Sequence, residues 1–550
     1  MKRSTLLINL AIVLLGALLF IPGIGGVRLF DWDEINFAES AREMLLTGNW
    51  FEVQINFEPF WEKPPLFIWM QALSMKLFGV SEFSARCPNA IMGILTLLVL
   101  FNIGRTRKGT RFGLMWAAMY CISFLPFFYF KSGIIDPWFN FFIFLGIYYI
   151  SRYTDADAVE HRARNAALSA LFTGLGIMTK GPVAFLIFAL TFFVRLISVR
   201  FKLSFRWKDV ALYLLVLALV GGSWFIALAV SGHGDVIQDF IAYQLRLFET
   251  KDAGHGGFLL YHFVWLFFGV TPASVFALSS LFGKENDNLT RWMKVSFWVV
   301  LILFTIVRTK IVHYSSFCYF PLSYLGALAA TRMMDGEIKF RGWHRGLLTG
   351  ISSIWGAFLV ALTLFDRFKD KLIPYVQDPF AVSCMEASSD WKGFEPFAGL
   401  LLIACTVAFC LQFKRRRRPE SFLVLACGNL AFCLTAILFA VPEVEKYSQA
   451  SAVDFYIERQ GEDCYVQPAY FKSYAQYFYT MRQPENRCED PAKACYYVVK
   501  DIPEDVARLR SDVPEAEFLY RRSGFQFFVR PKPAEAEADK CCEHQQQEVE

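Results

Sequence analysis

The stretch LFDWDEINFAESAREM, residues 29–44, sets Asp31, Asp33 and Glu34 directly after an apolar run of membrane length, and FWEKPPL, residues 60–66, sets Glu62 and Lys63 just before another. Charge beside membrane-length segments is costly unless it is compensated or used. These two stretches therefore decide both the kind of fold and where its chemistry is sought.

Outward from them, the chain of 550 residues is 55% apolar, 17% aromatic and only 19% charged, with 58 Phe, which excludes a water-soluble multidomain protein. Apolar runs long enough for a bilayer core of roughly 30 Å recur from residue 5 to residue 441. About 13 spanning segments are read from them: 5–27, 86–104, 112–130, 137–151, 166–180, 182–199, 209–231, 258–283, 293–308, 316–331, 346–365, 396–413 and 420–442. The first run has no small-x-small cleavage pattern after it and reads as a retained anchor. The fold class is thus an all-α polytopic membrane protein.

The net charge of +5 is scattered in short clusters between apolar segments. Such clusters suit the cytoplasmic membrane face of a lipid bilayer, not nucleic acid. Counting alternate loops puts Lys2 and Arg3, GRTRKGTR, SRYTDADAVEHRAR, VRFKLSFRWK, GKENDNLTRWMK, TRMMDGEIKFRGWHR and KRRRR on that face. Residues 28–85, the short loops near 131–136 and 180–181, and everything after 442 then fall on the other. Residues 1–442 read as the membrane domain, with 28–85 as its outer loop. Residues 443–530 alternate like strands in ACYYVVK and EFLYRRSGFQFFVRP and read as a small α/β extracytoplasmic domain. Residues 531–550 are polar, low in complexity and read as a disordered tail. An oxidising compartment permits a bridge among Cys464, Cys488 and Cys495, and no CxxC spacing suits a metal.

Residues 34–46 read as an amphipathic helix along the interface. A helix N-cap accounts for Asp31, whereas Asp33 and Glu34 together exceed what one cap needs. In FWEKPPL the Pro-Pro break prevents an ordinary helix, so Lys63 is placed to meet a phosphate and Glu62 to bind a cation or fix that lysine. Asp136 in KSGIIDPWF is either a helix cap or part of a site. Lys180 in MTKGPVA, and Lys310 and His313 in RTKIVHY, either snorkel to the interface or face a ligand. Tyr314 can line a donor or acceptor pocket.

Together, AESAREM, TGNW, FWEKPPL, IIDPWF, TKGPVA, GHGGFLLYH and RTKIVHYSSFCYFPL resemble the bacterial GT-C glycosyltransferases typified by the lipid A aminoarabinose transferases, relatives of the protein O-mannosyltransferases, over residues 5–440. The resemblance implies an inner-membrane enzyme whose periplasmic site moves a sugar, with inversion, from a polyprenyl phosphate donor to an acceptor: lipid A, a glycan or a protein. It implies Asp33, with Glu34 beside it, as the catalytic carboxylate, and Glu62 with His255 as ligands of a divalent metal (Zn, or Mg or Mn). His262 and His313 compete with His255 for that role. A lipid phosphate leaving group needs charge neutralisation, for which Lys63, Arg42, Lys180 and Lys310 are candidates. Two other readings are a protein Ser/Thr glycosyltransferase of the same fold and a transporter or flippase. Transport is disfavoured because the charges gather at the outer interface and residues 28–85 have no counterpart in the second half.

Overall fold

Six helices are long and apolar enough to cross a bilayer: Arg3–Phe20, Glu82–Lys108, Asn288–Ile306, the helical run Gly342–Tyr375, Glu395–Arg416 and the run Ser421–Glu445. In the first, Leu14 and Leu18 stay 71% and 69% exposed, an apolar face suited to contact with lipid. Two further spans are broken: Trp207–Gly221 with Ser223–Val230 bends by 55°, and Tyr261–Gly269 with Ala273–Leu281 by 115°. The computed structural model describes residues 3–532 except 61, 156–159, 233, 250–256, 285–286, 417 and 488–489, and omits the side chains of 235 and 243–249. His255, Cys488 and the tail from residue 533 therefore lie outside the described residues.

Helix covers every stretch read as a span, but by length and apolarity six to eight crossings qualify, fewer than the 13 expected. The difference has a physical cause. Asp136–Tyr153 carries polar residues at both ends and is buried along most of its length, and Arg162–Lys180 is basic at its start. A helix walled in by other helices need not be apolar throughout, so hydropathy alone does not classify it.

Helix packing is close where glycine permits it. A Cβ on Gly104 would fall 2.6 Å from the Gly113 Cα, and one on Gly356 2.6 Å from the Gly399 carbonyl, so these helix pairs meet backbone to backbone. Elsewhere aromatic side chains fill the core, as where Phe144 stacks on Phe320 at 4.6 Å and Trp116 meets Tyr324 edge-on at 4.9 Å.

The loops assigned to the basic face do meet one another. Arg107 pairs with Asp155 at 2.8 Å, Lys108 with Asp287 at 3.3 Å and Arg111 with Asp335 at 2.7 Å. The opposite face holds the outer loop and the C-terminal region. In the outer loop, the helix Asp33–Thr47 is followed by a small antiparallel hairpin, β1 (Gln54–Ile55) with β2 (Glu58–Pro59), and by the helix Leu66–Phe78.

The C-terminal region contains four strands, β3 (Cys464–Ala469), β4 (Ala494–Lys500), β5 (Glu517–Arg522) and β6 (Phe525–Arg530), in the order β3-β4-β6-β5. β3 and β4 run parallel, and the other pairs are antiparallel. One face of this sheet packs on the helix Pro503–Asp512 through Cys495, Tyr497, Val499, Leu509 and Phe528. The other, with Val466, Val498, Phe525 and Phe527, shares a single apolar core with Leu29, Ile35, Phe37, Met44 and Phe67 of the outer loop. Cys464 and Cys495 are free thiols.

That shared core changes the character of Asp33–Thr47. Residues 34–44 are all buried, so the helix is not a half-exposed interfacial one; the membrane helices cover one side and the C-terminal region the other.

Candidate active site

Asp33 is the first residue of its helix but does not cap it. Trp32 precedes it at φ 74°, a conformation a bulky residue adopts only under constraint, and no side chain caps the helix start. Asp31 is tied elsewhere, accepting hydrogen bonds from the Trp32 and Tyr474 backbone N–H groups at 3.0 and 3.1 Å. Freed from a capping role, the Asp33 side chain keeps 42% of its surface open within a cleft, and its Oδ2 lies 3.2 Å from His313 Nε2.

His313 stands on the short helix Val312–Cys318 and lies between two carboxylates, with Asp136 Oδ2 at 3.8 Å. Asp136 opens the helix Asp136–Tyr153 without capping it; its other oxygen instead accepts from Lys180 at 2.7 Å. Lys180 ends its own helix, where Gly181 at φ 89° turns the chain, and its ammonium sits 5.0 Å from the Tyr314 ring and 5.6 Å from the Phe139 ring. One turn beyond Asp136, Asn140 donates to the Tyr129 hydroxyl at 2.6 Å and to Ser316 at 2.8 Å, which braces the helix bearing His313. Lys63 contacts Glu62 at 3.8 Å and adds to the positive field at Asp33.

Burial works against an ionised Asp33. The close contact with His313, with the charges of Lys180 and Lys63 behind it, outweighs burial and holds the carboxyl well below the usual carboxylate range. The cleft therefore presents a carboxylate that stays ionised at neutral pH, ringed by cations at the level where membrane helices end.

The other candidates lie elsewhere. Glu34, one residue on, turns away and pairs with Arg86 at 2.7 Å, while the Phe30 and Gly133 N–H groups donate to it. Arg42 is bound to Glu39 through two contacts at 2.7 and 2.8 Å and donates to the Arg482 carbonyl at 2.8 Å, so it joins the outer loop to the C-terminal region. Lys310 donates to the carbonyls of Phe304, Thr305 and Val307 at 2.6–2.9 Å, closing the end of a membrane helix. His262 is buried against Ser315 at 3.0 Å. Among the described residues no three His, Cys, Asp or Glu side chains gather as a metal set, and His255 is outside them.

Sequence reasoning did not pair His313 with Asp33, and it did not single out Asn140, which braces the His313 helix. Asn140 had a signal: it lies four residues after Asp136, on the same helix face. From sequence, His313 reads as an interfacial, a ligand-facing or a competing metal-binding residue, because nothing local distinguishes these.

Comparison with known proteins follows the same outline. Residues 62–225 match the family model described as dolichyl-phosphate-mannose-protein mannosyltransferase. An undecaprenyl phosphate-alpha-4-amino-4-deoxy-L-arabinose arabinosyl transferase of Pectobacterium atrosepticum is 24% identical over 78% of this chain and 75% of its own length. One of Pseudomonas aeruginosa is 26% identical over 68% and 67%. The crystal structure of ArnT from Cupriavidus metallidurans bound to undecaprenyl phosphate superposes with a TM-score of 0.77 at 17% identity, covering 97% of this chain and all of that one.

Proposed function

We propose that this chain, a multi-pass membrane glycosyltransferase of the GT-C class, transfers a sugar from a polyprenyl phosphate to an acceptor in the cell envelope, with lipid A or a similar phosphorylated lipid favoured. The observation that carries this reading is an ionised, cleft-facing Asp33 within the field of Lys63 and Lys180. The excess of Lys and Arg on the opposite face supports a cleft on the periplasmic side of the inner membrane.

In this reading an acceptor oxygen attacks the anomeric carbon from the face opposite the lipid phosphate, and the configuration inverts. The carbon–oxygen bond to phosphate breaks, and its electron pair leaves with the polyprenyl phosphate. That leaving group is already an anion and needs charge neutralisation, not a proton, which Lys63 and Lys180 supply at close range. The carboxylates of Glu62 and Asp136 hold these two ammonium groups in place until the phosphate arrives.

The low proton affinity of Asp33 bears on the acceptor. A serine or sugar hydroxyl needs a base with appreciable proton affinity, and a carboxyl held well below the usual range has little. A phosphate acceptor comes already ionised, so Asp33 serves it by orienting the attack through His313 and the incoming sugar. This favours a phosphorylated lipid over a protein Ser/Thr acceptor.

A divalent metal rests on Glu62 and His255 as a proposal. The described residues do not themselves assemble a set for it, so no step is routed through a metal. Mass spectrometry of lipid A, glycans and surface proteins from a deletion strain beside its parent tests the function. One missing sugar mass on lipid A or a related lipid is expected; loss confined to proteins would favour the Ser/Thr alternative.

A further inference from the structure

A cavity of about 300 Å³ lies on the Glu34 side of the helix start, distinct from the Asp33 cleft. Its walls are largely apolar, with Phe30, Phe128, Ile437 and Val441; Arg86 and Lys131 border it, as does Glu34, whose carboxylate is already paired with Arg86 at 2.7 Å.

The two cations are not equivalent. Arg86 is satisfied internally: its guanidinium donates to Glu34 and to the carbonyls of Ile24, Val27 and Arg28 at 2.6–3.0 Å. Lys131 is only 3% exposed, and its ammonium donates to one carbonyl, that of Pro22, at 2.6 Å, with the Phe127 ring 5.9 Å away. No carboxylate pairs with it among the described residues. An ammonium has three donors, and a buried cation without a counter-charge is unfavourable. Burial accordingly holds Lys131 down to about 8.

We propose that this cavity binds an anionic phospholipid of the surrounding bilayer, its phosphate against Lys131 and part of one acyl chain along Phe30, Phe128, Ile437 and Val441. Three observations favour that occupant. The cavity is framed by the ends of membrane helices: Gly23 follows the first, and Ile437 belongs to the stretch Ala436–Ala440 near the end of the last. Phe30 on its wall remains 43% exposed, an apolar rim next to the helix ends. A phosphodiester carries one negative charge, which one ammonium matches, whereas a phosphate monoester carries about −1.5 to −2 at neutral pH and would leave charge uncompensated.

The test is native mass spectrometry of the full chain, delipidated in detergent and titrated with phosphatidylglycerol, phosphatidylcholine or undecaprenyl phosphate. The parent and Lys131→Arg are expected to retain one phosphatidylglycerol and no phosphatidylcholine. Lys131→Met should weaken that retention by about tenfold, the loss of one charge-assisted contact. Ile437→Trp fills the cavity without touching the cation and should lose the same lipid, which decides the matter if Lys131→Met does not purify. Unchanged phosphatidylglycerol retention in both variants overturns the proposal. So does loss of undecaprenyl phosphate retention in their place. The readout needs no turnover, so it stands or falls apart from the transfer reaction.

Discussion

His313 Nε2 lies 3.2 Å from Asp33 Oδ2, joining the outer loop to a segment some 280 residues later in the membrane domain. The contact explains how a crowded carboxyl stays ionised, and it has a direct consequence for pH. In His313→Ala the opposing effect of burial remains while the largest favourable contact is gone, so the Asp33 pKa rises. The acid limb of the kcat/KM profile should move to higher pH by roughly 1–3 units. An unmoved limb would mean that His313 does not set the charge of Asp33.

Glu34 and Arg86 form a buried pair with both side chains 4% exposed. Removing one partner strands the other, so Glu34→Gln should destabilise the protein by about 3–5 kcal/mol, seen as a lowered Tm. The double variant Glu34→Gln/Arg86→Met removes both charges and should recover much of the stability and, with it, the transfer activity. A catalytic Glu34 would give no such recovery of activity.

Glu43 tests how the helix Asp33–Thr47 holds the hairpin of the outer loop. Burial and the neighbouring Glu39 carboxylate outweigh the N–H donors from Asn56 and Phe57 and push Glu43 up to about 9. A carboxyl whose pKa is raised on folding favours the folded state while protonated. That contribution is full below the unfolded value of about 4.5 and is lost as pH rises toward 9. Tm measured across this range should fall with pH in the parent and less steeply in Glu43→Gln. Parallel curves would contradict the shift.

Much of this was legible in the sequence because it was local. Apolar runs located the helices, and ACYYVVK and the segment around SGFQFFVRP located β4 and the β5–β6 hairpin. Asp33, Lys63, Asp136, Lys180 and Tyr314 stood out as polar residues at the ends of apolar runs, and the structure brings them to one neighbourhood. Other features depend on what is distant in sequence. Asp33 and Glu34 are adjacent, but successive helical residues diverge by about 100°, so one faces the cleft and the other Arg86. Arg42 meets Arg482, some 440 positions away, and no local pattern foretells that the C-terminal region will cover it. Lys310 is taken up by carbonyls at a helix end whose bounds the sequence fixes only loosely.

The central claim is that sugar transfer takes place at the Asp33 cleft. Its most direct test is the rate of transfer of labelled sugar from an undecaprenyl phosphate donor by purified Asp33→Asn and Lys63→Ala beside the parent. Both variants should insert and purify normally; Lys63→Ala, which removes charge from the leaving phosphate, should lose about 10²- to 10³-fold in rate, and Asp33→Asn, which removes an orienting group, about 10²-fold. Parent-like turnover in both would contradict it.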